Sequence, residues 1–333
     1  INHLKDKDID IIMLTNPLIS SETSSFNSYD IEVYLKFFNS QAIVFQRLNE
    51  CDERKGTNNV NLKLNKFNQV VDVNIFVSDW LKNVFNKFEL SKKRSYVVKG
   101  GPNKQIFNNN GKTYWNKKTK LKLVTHHWSD NLNKGYLDYK QLDTYLNSEK
   151  YNNIFEFTFI GNKPKDMKFN NINVLDPLHG NNLSKELKKH DIYITASENE
   201  PSGNHHMEGA LCGLPILYKD SGAASEYCND FGVSFEIENF LESLDSIKKD
   251  YDNFVLKLNQ YPYDFLSAAN HIEKVFNEIN EHKLEIINDR NLKSKFNILT
   301  RYLLNKFLRF LYVKYYSLKK ILGRTKYTIK NVT

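Results

Sequence analysis

The stretch TASENEPSGNHHMEGALCGLPILYKDSGAASE, residues 195–226, decides the fold. It follows HDIYIT (residues 190–195), a β-branched and aromatic run that predicts a buried strand. Residues 204–211 lack the alternation of a strand and predict a helix that ends at Gly213. Residues 214–218 predict the next strand. Strand, loop, helix and strand form a βαβ unit, which binds ligands at the carboxyl end of its first strand.

The start of this helix predicts an anion site. A helix that begins at Ser202 or Asn204, on either side of Gly203, has a side-chain oxygen available to cap its first N–H groups. These N–H groups and the positive end of the helix dipole favour a phosphate or diphosphate. Glu200 lies on the loop at the mouth of this site and Glu208 lies one to two turns into the helix. Without further context, the better interpretation is that Glu200 caps a helix and Glu208 is a solvated helix residue.

The order of residues around the two glutamates carries a family resemblance. Glu200 and Glu208 are followed by GALCGLP at 209–215 and by GAASE at 222–226. This series resembles the donor-site signature of glycosyltransferase family 4, the retaining sugar transferases of GT-B fold. The resemblance implies an α/β protein of two Rossmann-like domains with parallel sheets. It also implies an enzyme, a hexosyltransferase-type glycosyltransferase that moves a sugar from a nucleotide-sugar to an acceptor hydroxyl.

Composition and length bound the class of protein. A chain of 333 residues with 40% hydrophobic residues has room for two domains with their own cores. Its three cysteines, at positions 51, 212 and 228, lack CxxC spacing, which favours a reducing cytoplasmic compartment and gives no zinc site. The sequence has no apolar run of membrane-spanning length and no signal peptide pattern.

The positive charge is concentrated at the end of the chain. Residues 291–333 contain eleven Lys or Arg and no Asp or Glu, so removing them from the total of +8 leaves −3 on the preceding 290 residues. A nucleic-acid partner for the whole protein therefore loses its main support.

Strand and linker signals predict four segments. We expect an N-terminal Rossmann-like, acceptor-side domain at 1–107, a polar linker at 108–119, a nucleotide-sugar donor domain at 120–282 and a basic amphipathic helical tail at 283–333. By resemblance, a helix near the end of the donor domain packs back across the first domain. The family usually opens with an earlier strand and a Gly-rich acceptor loop, which this sequence lacks, so we expect a fragment or a reduced form.

Polar residues after the strand at 42–45 predict a second contact region. Arg47 and Asn49, with Glu50 and Asp52, follow this strand, where side chains of an α/β sheet face the ligand crevice. They are candidates for contact with the acceptor or with the donor phosphates. A solvated loop with local ion pairs explains them equally well.

The donor domain supplies the remaining candidates by resemblance. Lys134, in Lys-Gly, would hold the donor diphosphate as a point charge. The family's Gly-Arg is replaced here by His127-Trp128-Ser129, so one cation is missing, and Arg47 or a histidine is the expected substitute. Further donor-binding residues are Gly161, at the end of the strand 155–161, and Pro177 and Leu178, which would lie against the nucleotide base.

The resemblance also assigns a mechanism. Glu200 and Lys134 are the catalytic candidates: Glu200 would bind donor-sugar hydroxyls near the reacting carbon, and Lys134 would stabilise the leaving diphosphate. Glu208 would accept hydrogen bonds from the ribose. The site is expected to be metal-free and to need no cofactor, because the nucleotide-sugar is a substrate. His126-His127 and His205-His206 suggest a metal, yet adjacent residues point apart and no carboxylate spacing joins them.

The tail has helical periodicity. Phe296, Leu299, Leu303 and further apolar residues fall on one face, and Arg301 and Lys306 with other basic residues fall on another. Such a helix suits an anionic membrane surface, or a docking surface on the protein or on a partner, and nucleic acid is the remaining use of such a stretch. We expect a peripheral enzyme of the inner membrane face that builds surface polysaccharide, lipid-linked glycan or glycoconjugate. The alternatives are a non-catalytic sugar-nucleotide-binding or membrane-associated GT-B scaffold, and a GT-B sugar-nucleotide epimerase.

Overall fold

The chain folds around two parallel β-sheets. The computed structural model describes residues 4–16 and 25–330. In the last helix, Lys295–Lys330, it describes side chains as far as Leu311, together with Lys314 and Tyr315. The first sheet has the order β1 (Ile11–Leu14), β2 (Ile43–Leu48), β3 (Val73–Phe76), β4 (Arg94–Val97). The strands of the second sheet are β5 (Leu121–His127), β6 (Phe155–Gly161), β7 (Asn173–Leu175), β8 (Ile192–Thr195), β9 (Ile216–Tyr218) and β10 (Gly232–Ser234).

Helices connect the strands and cover both sheets. Those of the first half are α1 (Ser28–Phe37), α2 (Asp52–Lys55), α3 (Val60–Phe67) and α4 (Asp79–Val84). Those around the second sheet are α5 (Tyr136–Tyr145), α6 (Glu149–Asn152), α7 (Gly180–Leu187), α8 (Asn204–Leu211), α9 (Ala224–Cys228), α10 (Phe240–Lys249) and α11 (Tyr251–Leu258). The last three are α12 (Phe265–Glu281), α13 (Lys283–Asp289) and α14 (Lys295–Lys330).

The second sheet reverses its strand order between β5 and β8. Its spatial order is β10-β9-β8-β5-β6-β7, and every pairing is parallel. Ligands of such doubly wound sheets bind where the order reverses, outside the carboxyl ends of the strands. The predicted architecture of two parallel sheets with flanking helices is confirmed, and it directs attention to the ends of β5 and β8.

Alternating side chains of the second sheet enter two separate cores. On β5, Leu123 packs with Tyr139 of α5 and with α10, while Val124 packs on the opposite face with Met207 of α8. All of these side chains are buried. Each such side chain contributes roughly 1.5–3 kcal/mol when fully buried. The position of α8 against the sheet is therefore fixed by apolar packing.

The first sheet is completed by the end of the chain. Phe45 and Ile75 pack against Val275 and Ile279 of α12, on the face opposite α1. The guanidinium of Arg290, directly after α13, pairs with the Asp72 carboxylate at 2.7 Å. The predicted return of a late helix across the first half is confirmed. The tail predicted to begin at residue 283 does not start there as a separate unit, because α13 buries Ile286 in this core.

Glu226 joins the two halves. Its carboxylate accepts hydrogen bonds from the backbone N–H groups of Asp79 and Trp80 at 3.0 and 2.6 Å. It also lies 3.0 Å from the ammonium of Lys99. The first turn of α4 offers free N–H groups and the positive end of its dipole, so a carboxylate is favoured there. Glu226, the last residue of the stretch 195–226, thus links the second half of the molecule to the start of α4 in the first half.

Two local expectations of the sequence are wrong. Helix α8 begins at Asn204, one of its two expected starts, but its N-cap is Gly203 and the expected side-chain cap is absent. A Cβ on Gly203 would lie 2.5 Å from the ring of His206, so the chain passes too close to this ring for a residue larger than glycine. Strand β9 begins at Ile216 and not at residue 214, since Pro215 has no N–H to donate to the sheet.

The tail forms one helix whose first turns lie along α1. Arg301 pairs with Glu32 at 3.0 Å and Lys306 pairs with Asp30 at 2.9 Å. Docking on the protein, one of the expected alternatives for the tail, is therefore confirmed for this part of α14. The predicted apolar positions Leu318, Ile321 and Leu322 lie outside the described side chains, as do Lys319 and Lys320. No helix in the described part of the chain is long and apolar enough to cross a membrane.

Candidate functional site

A cavity of about 270 Å³ lies at the carboxyl ends of β5 and β8. It collects residues from separate parts of the sequence, including most of the predicted site. Its lining residues are Arg54, His126, His127, Trp128, Ser129, Lys134, Glu200, Ser202, Gly203, Asn204, His205 and Glu208. Seven predicted residues thus come together: His127, Lys134, Glu200, Ser202, Gly203, Asn204 and Glu208.

A larger cavity of about 550 Å³ lies at the other end of the second sheet. Its wall includes Lys122, the second residue of β5, and Asp191, directly before β8, so it faces the amino ends of the strands. Parallel α/β sheets present their ligand sites at the carboxyl ends. The smaller cavity is therefore the candidate site.

Glu200 is held between two cations. Its carboxylate accepts a hydrogen bond from Nζ of Lys134 and another from Nε of Arg54, the latter at 3.1 Å. Burial would raise the pKa of Glu200, but the charges of Lys134 and Arg54 outweigh burial and lower that pKa. Glu200 is therefore an ionised carboxylate that is itself buried in the wall of the cavity. Glu200, Lys134 and Arg54 thus form a group of three charges in the cavity, with a net charge of +1.

Arg54 comes from the other half of the molecule. It lies on α2, after β2 of the first sheet, and its Nη1 also donates to Glu50 at 3.0 Å. The side-chain amide of Asn133 holds the carbonyl oxygen of Arg54 at 3.0 Å. The sequence suggested Arg47 or a histidine as the substitute for the missing cation, but the arginine beside Glu200 is Arg54. No local pattern marks it, because the contact depends on how the two sheets face each other.

Glu208 belongs to a hydrogen-bonded chain of three residues. Its Oε2 lies 2.6 Å from Nε2 of His126, whose Nδ1 lies 3.1 Å from the hydroxyl of Tyr193. Because a carboxylate only accepts, Nε2 of His126 is the donor in its hydrogen bond with Glu208. In the sequence, His126 and His127 suggest a metal site but lack the spacing of metal ligands. The structure makes His126 the residue that fixes the orientation of Glu208.

His127 does not supply the missing cation. Burial and the nearby charge of Lys134 place the pKa of His127 well below its usual value, so the ring is neutral near pH 7. Its Nε2 lies 3.0 Å from the hydroxyl of Tyr139, on which the ring stacks. Burial likewise lowers the pKa of His205, whose Nε2 lies 2.9 Å from Oγ1 of Thr195. Both histidines form an uncharged wall behind the cations.

Gly222 fixes the backbone of Glu200. Its φ of +65° is in the left-handed region, and an added Cβ would lie 2.4 Å from the backbone nitrogen of Glu200. The carbonyl oxygen of Glu200 accepts a hydrogen bond from the N–H of Ala223 at 2.9 Å. Only glycine allows this close approach in this conformation. Gly222 therefore allows the backbone packing that holds Glu200 in place.

Three predicted donor-binding residues do not line the cavity. A Cβ on Gly161 would lie 2.1 Å from the carbonyl oxygen of His127, so this glycine serves the close pairing of β5 with β6. Pro177 and Leu178 lie on the loop after β7, and Leu178 packs against the apolar core beneath it. The next residue, His179, stacks on Trp128 of the cavity wall with ring centroids 3.9 Å apart.

Arg47 and Asn49 line a second cavity, of about 260 Å³, at the carboxyl ends of β1 and β2. Glu50 belongs to its wall and also pairs with Arg54, so this ion pair separates the two cavities. Burial lowers the pKa of Arg47. The two predicted contact regions are thus neighbours across the cleft, with Arg54 between them.

Within residues 4–16 and 25–330, no group of three or more His, Cys, Asp or Glu side chains could hold a metal ion. The four histidines near the cavity are instead hydrogen-bonded to hydroxyl, carboxylate or thiol groups.

Comparison with known proteins identifies the architecture. No protein-family model and no curated protein matches this sequence. Among solved structures, sucrose-phosphate synthase from Thermosynechococcus elongatus matches with a TM-score of 0.61 and 10% identity, over 82% of this chain and 74% of that one. A glycosyltransferase from Rickettsia africae matches with a TM-score of 0.58 and 15% identity, over 81% and 76%. HepE from Anabaena in complex with UDP matches with a TM-score of 0.59 and 13% identity, over 82% and 79%. The chain therefore has the GT-B fold of these proteins.

Proposed function

We propose that the protein is a retaining glycosyltransferase of the family 4 type. It would move a hexose from a nucleotide-sugar to an acceptor hydroxyl. The observation that carries this proposal is the convergence of Lys134, Glu200 and Glu208 with the start of α8 on one cavity at the strand-order reversal. The similar solved structures support it, since HepE is described in complex with UDP-glucose.

Cations and backbone N–H groups would bind the donor diphosphate. Lys134 and Arg54 lie beside each other on Glu200, and the N–H groups at the start of α8 line the same cavity. Fixed donors of this kind stabilise the charge that develops on a leaving phosphate. This arrangement needs no metal ion and no cofactor, and a phosphate would share the two cations with Glu200.

The two glutamates would bind different parts of the donor. Glu208, oriented by His126, would accept hydrogen bonds from the ribose hydroxyls. Glu200 would bind hydroxyls of the donor sugar close to the reacting carbon. The stacked pair of Trp128 and His179, beside Leu178, offers an aromatic surface for the nucleotide base. Retention would follow when the acceptor attacks from the face that the phosphate leaves.

The acceptor would bind in the cavity lined by Arg47 and Asn49. This cavity adjoins the donor cavity across the Glu50–Arg54 pair, so an acceptor hydroxyl there is close to the reacting carbon. A glycan or lipid-linked acceptor suits a protein whose last helix carries exposed apolar side chains. We infer work in polysaccharide or glycoconjugate synthesis at the cytoplasmic face of a membrane.

Calorimetry against UDP-, GDP-, ADP- and CMP-sugars tests the donor site. Wild type should bind one donor class, and Glu208→Ala should weaken that binding by about 10- to 100-fold, because hydrogen bonds to a charged group contribute about 1.5–3 kcal/mol. Glu89→Ala is the matched control, since Glu89 pairs with Lys92 on the surface of the first half. It should bind like wild type.

The outcomes separate the alternatives. No binding of any donor by a folded sample would contradict the proposal and leave a GT-B scaffold. Donor binding without sugar release in the presence of any acceptor would favour a non-catalytic sugar-nucleotide-binding protein. Conversion of the bound sugar without an acceptor would favour an epimerase.

A further inference from the structure

Helix α14 presents apolar side chains to solvent. Eight large residues, which we name the apolar face, are between 44% and 78% exposed. They are Phe296, Leu299, Leu303, Leu304, Phe307, Leu308, Phe310 and Leu311. Single exposed apolar residues are ordinary, but a contiguous group of this size on one element marks an interaction site.

The opposite face of the same helix is docked on α1. Ile298 and Asn305 are buried there, and the Asn305 side chain accepts a hydrogen bond from Asn27 at 3.2 Å. Arg301 and Lys306 pair with acidic residues of α1. At 100° per residue Ile298 and Asn305 lie opposite the centre of the apolar face, and Arg301 and Lys306 lie at its two edges. The side of the helix that carries Ile298 and Asn305 therefore faces α1, and the apolar face is turned away from it.

The helix continues past the start of α1. The ladder of contacts runs antiparallel, with Lys295 over the ring of Phe37 and Asn305 beside Asn27 at the start of α1. Residues 307–330 continue past that point, a helical length of about 36 Å. The apolar face thus begins on the part docked along α1 and extends past the start of α1.

We propose that the apolar face of α14 inserts into the boundary between headgroups and acyl chains of a lipid bilayer. This proposal rests on the proposed function at a membrane. It adds that the apolar face of α14 makes the membrane contact and that hydrophobic burial stabilises this contact. The sequence favoured attraction of the basic face to anionic lipid. In the structure Arg301 and Lys306 are occupied by α1, so hydrophobic insertion provides the main binding energy for this part of the helix.

Charge favours a bilayer over a second copy of the chain. Residues 291–333 hold eleven basic residues and no acidic ones, so pairing two apolar faces would bring two strongly positive tails together. A bilayer covers the apolar face without that repulsion, and an anionic leaflet adds attraction. The helix lies in the interface plane, with α1 and the first sheet on its aqueous side.

Vesicle flotation of the full chain tests this orientation. Wild type should float with zwitterionic phosphatidylcholine vesicles, and binding should persist from roughly 0.1 to 1 M salt, where exposed charges are screened. The triple variant Leu303→Ser, Phe307→Ser, Phe310→Ser should lower partitioning by at least about 100-fold. The matched control Leu62→Ser, Leu137→Ser, Leu256→Ser removes equally exposed residues elsewhere and should bind like wild type.

Three results would overturn the proposal. The first is no vesicle binding by wild type, and the second is binding only to vesicles with phosphatidylglycerol that is lost at high salt. The third is a wild-type dimer in sedimentation without vesicles that the triple variant converts to monomer, since a second copy would then cover the face. Donor calorimetry on the same samples separates the two proposals: the triple variant should keep donor affinity, and Glu208→Ala should keep vesicle binding.

Discussion

Helices α8 and α14 both depart from the usual burial of side chains: α8 buries polar residues and α14 exposes apolar ones. In α8 the polar residues His205 and His206 are buried, whereas in α14 apolar residues such as Leu303 and Phe307 are exposed. A buried polar group or an exposed apolar patch is more informative than the common pattern. Each helix thus points to a binding surface, one for a polar ligand inside the cleft and one for an apolar partner outside it.

The two helices differ in how the reversal is stabilised. On α8 the buried polar groups have partners from the strand ends, as Glu208 has His126 and His205 has Thr195. Paired polar groups of this kind make a cavity rigid and costly to disturb. On α14 the polar groups of one face are paired with α1, and this leaves the apolar face turned to solvent. Substitutions in the two regions should therefore fail in different ways.

The largest effect should come from Lys134. Lys134→Ala removes one of two cations from the cavity, and the rate of sugar transfer should fall about 100- to 1,000-fold, as for loss of one preorganised donor to a leaving group. The rate of release of nucleotide diphosphate from the donor measures this. Lys140→Ala, which removes an ammonium paired with Asp143 on α5, is the control and should keep the wild-type rate. Equal rates for the two variants would remove Lys134 from the mechanism.

A glycine pair measures how tightly the Glu200 loop is held. Gly222→Ala should lower the free energy of unfolding by about 2–4 kcal/mol, because the new methyl meets the backbone of Glu200 in a left-handed conformation. Gly111→Ala, with a similar φ of +72° and open space around it, should cost only about 1 kcal/mol. Urea denaturation gives both values. Equal costs would show that the loop moves freely to accept the methyl group.

Acid should weaken the α8 region more than the surface. Burial lowers the pKa of His206 to about 4, while an unfolded histidine titrates near about 6.5. As the pH falls, the unfolded chain binds this proton first, so stability is lost between these two values. Protonation at His206 should account for about 2 kcal/mol of the free energy of unfolding that is lost between about pH 7 and pH 5.

Urea unfolding of His206→Gln at both pH values measures this share. The variant should lose about 2 kcal/mol less on acidification than wild type. His282→Gln, at an exposed position, should behave like wild type. An unchanged pH dependence in His206→Gln would mean that the ring is hydrated in the folded protein.

The smallest effect concerns the docking of α14. A double-mutant cycle of Arg301→Ala and Glu32→Ala should give a coupling energy of about 0.5–1 kcal/mol, since Arg301 is partly exposed and its partner is buried. Urea unfolding provides the four free energies. A coupling of zero would mean that this ion pair does not hold the helix on α1, and that the remaining contacts, such as those of Ile298 and Lys306, do.

The sequence predicted the fold and the central site well where the signal was local. Alternation and turn residues located strands such as β6 and β8, and the spacing in residues 195–226 predicted a ligand site at the end of β8. Lys134, Glu200 and Glu208 do line one cavity there. Their roles in donor binding remain a prediction.

Features that depend on distant contacts were not predicted. Arg54 meets Glu200 from 146 positions away, and His126 meets Glu208 from 82 positions away. A single sequence has no local signal for either contact, because each requires the final placement of a loop on another element. The same holds for α14: periodicity predicted its two faces, but the acidic residues of α1 decide which face is turned to solvent.

The covering of the first sheet by α12 and α13 has a consequence for biosynthesis. The strands that carry Phe45 and Ile75 leave the ribosome long before Val275 and Ile279, which pack on them. At translation rates of roughly 5–20 residues per second, this delay is about 10–40 s. The nascent N-terminal half must wait with one side of its sheet open, while the second sheet can close its own core earlier. Folding during translation should therefore begin with the second sheet, in the middle of the chain. Until α12 and α13 are made, we expect chaperones to bind the open face of the first sheet.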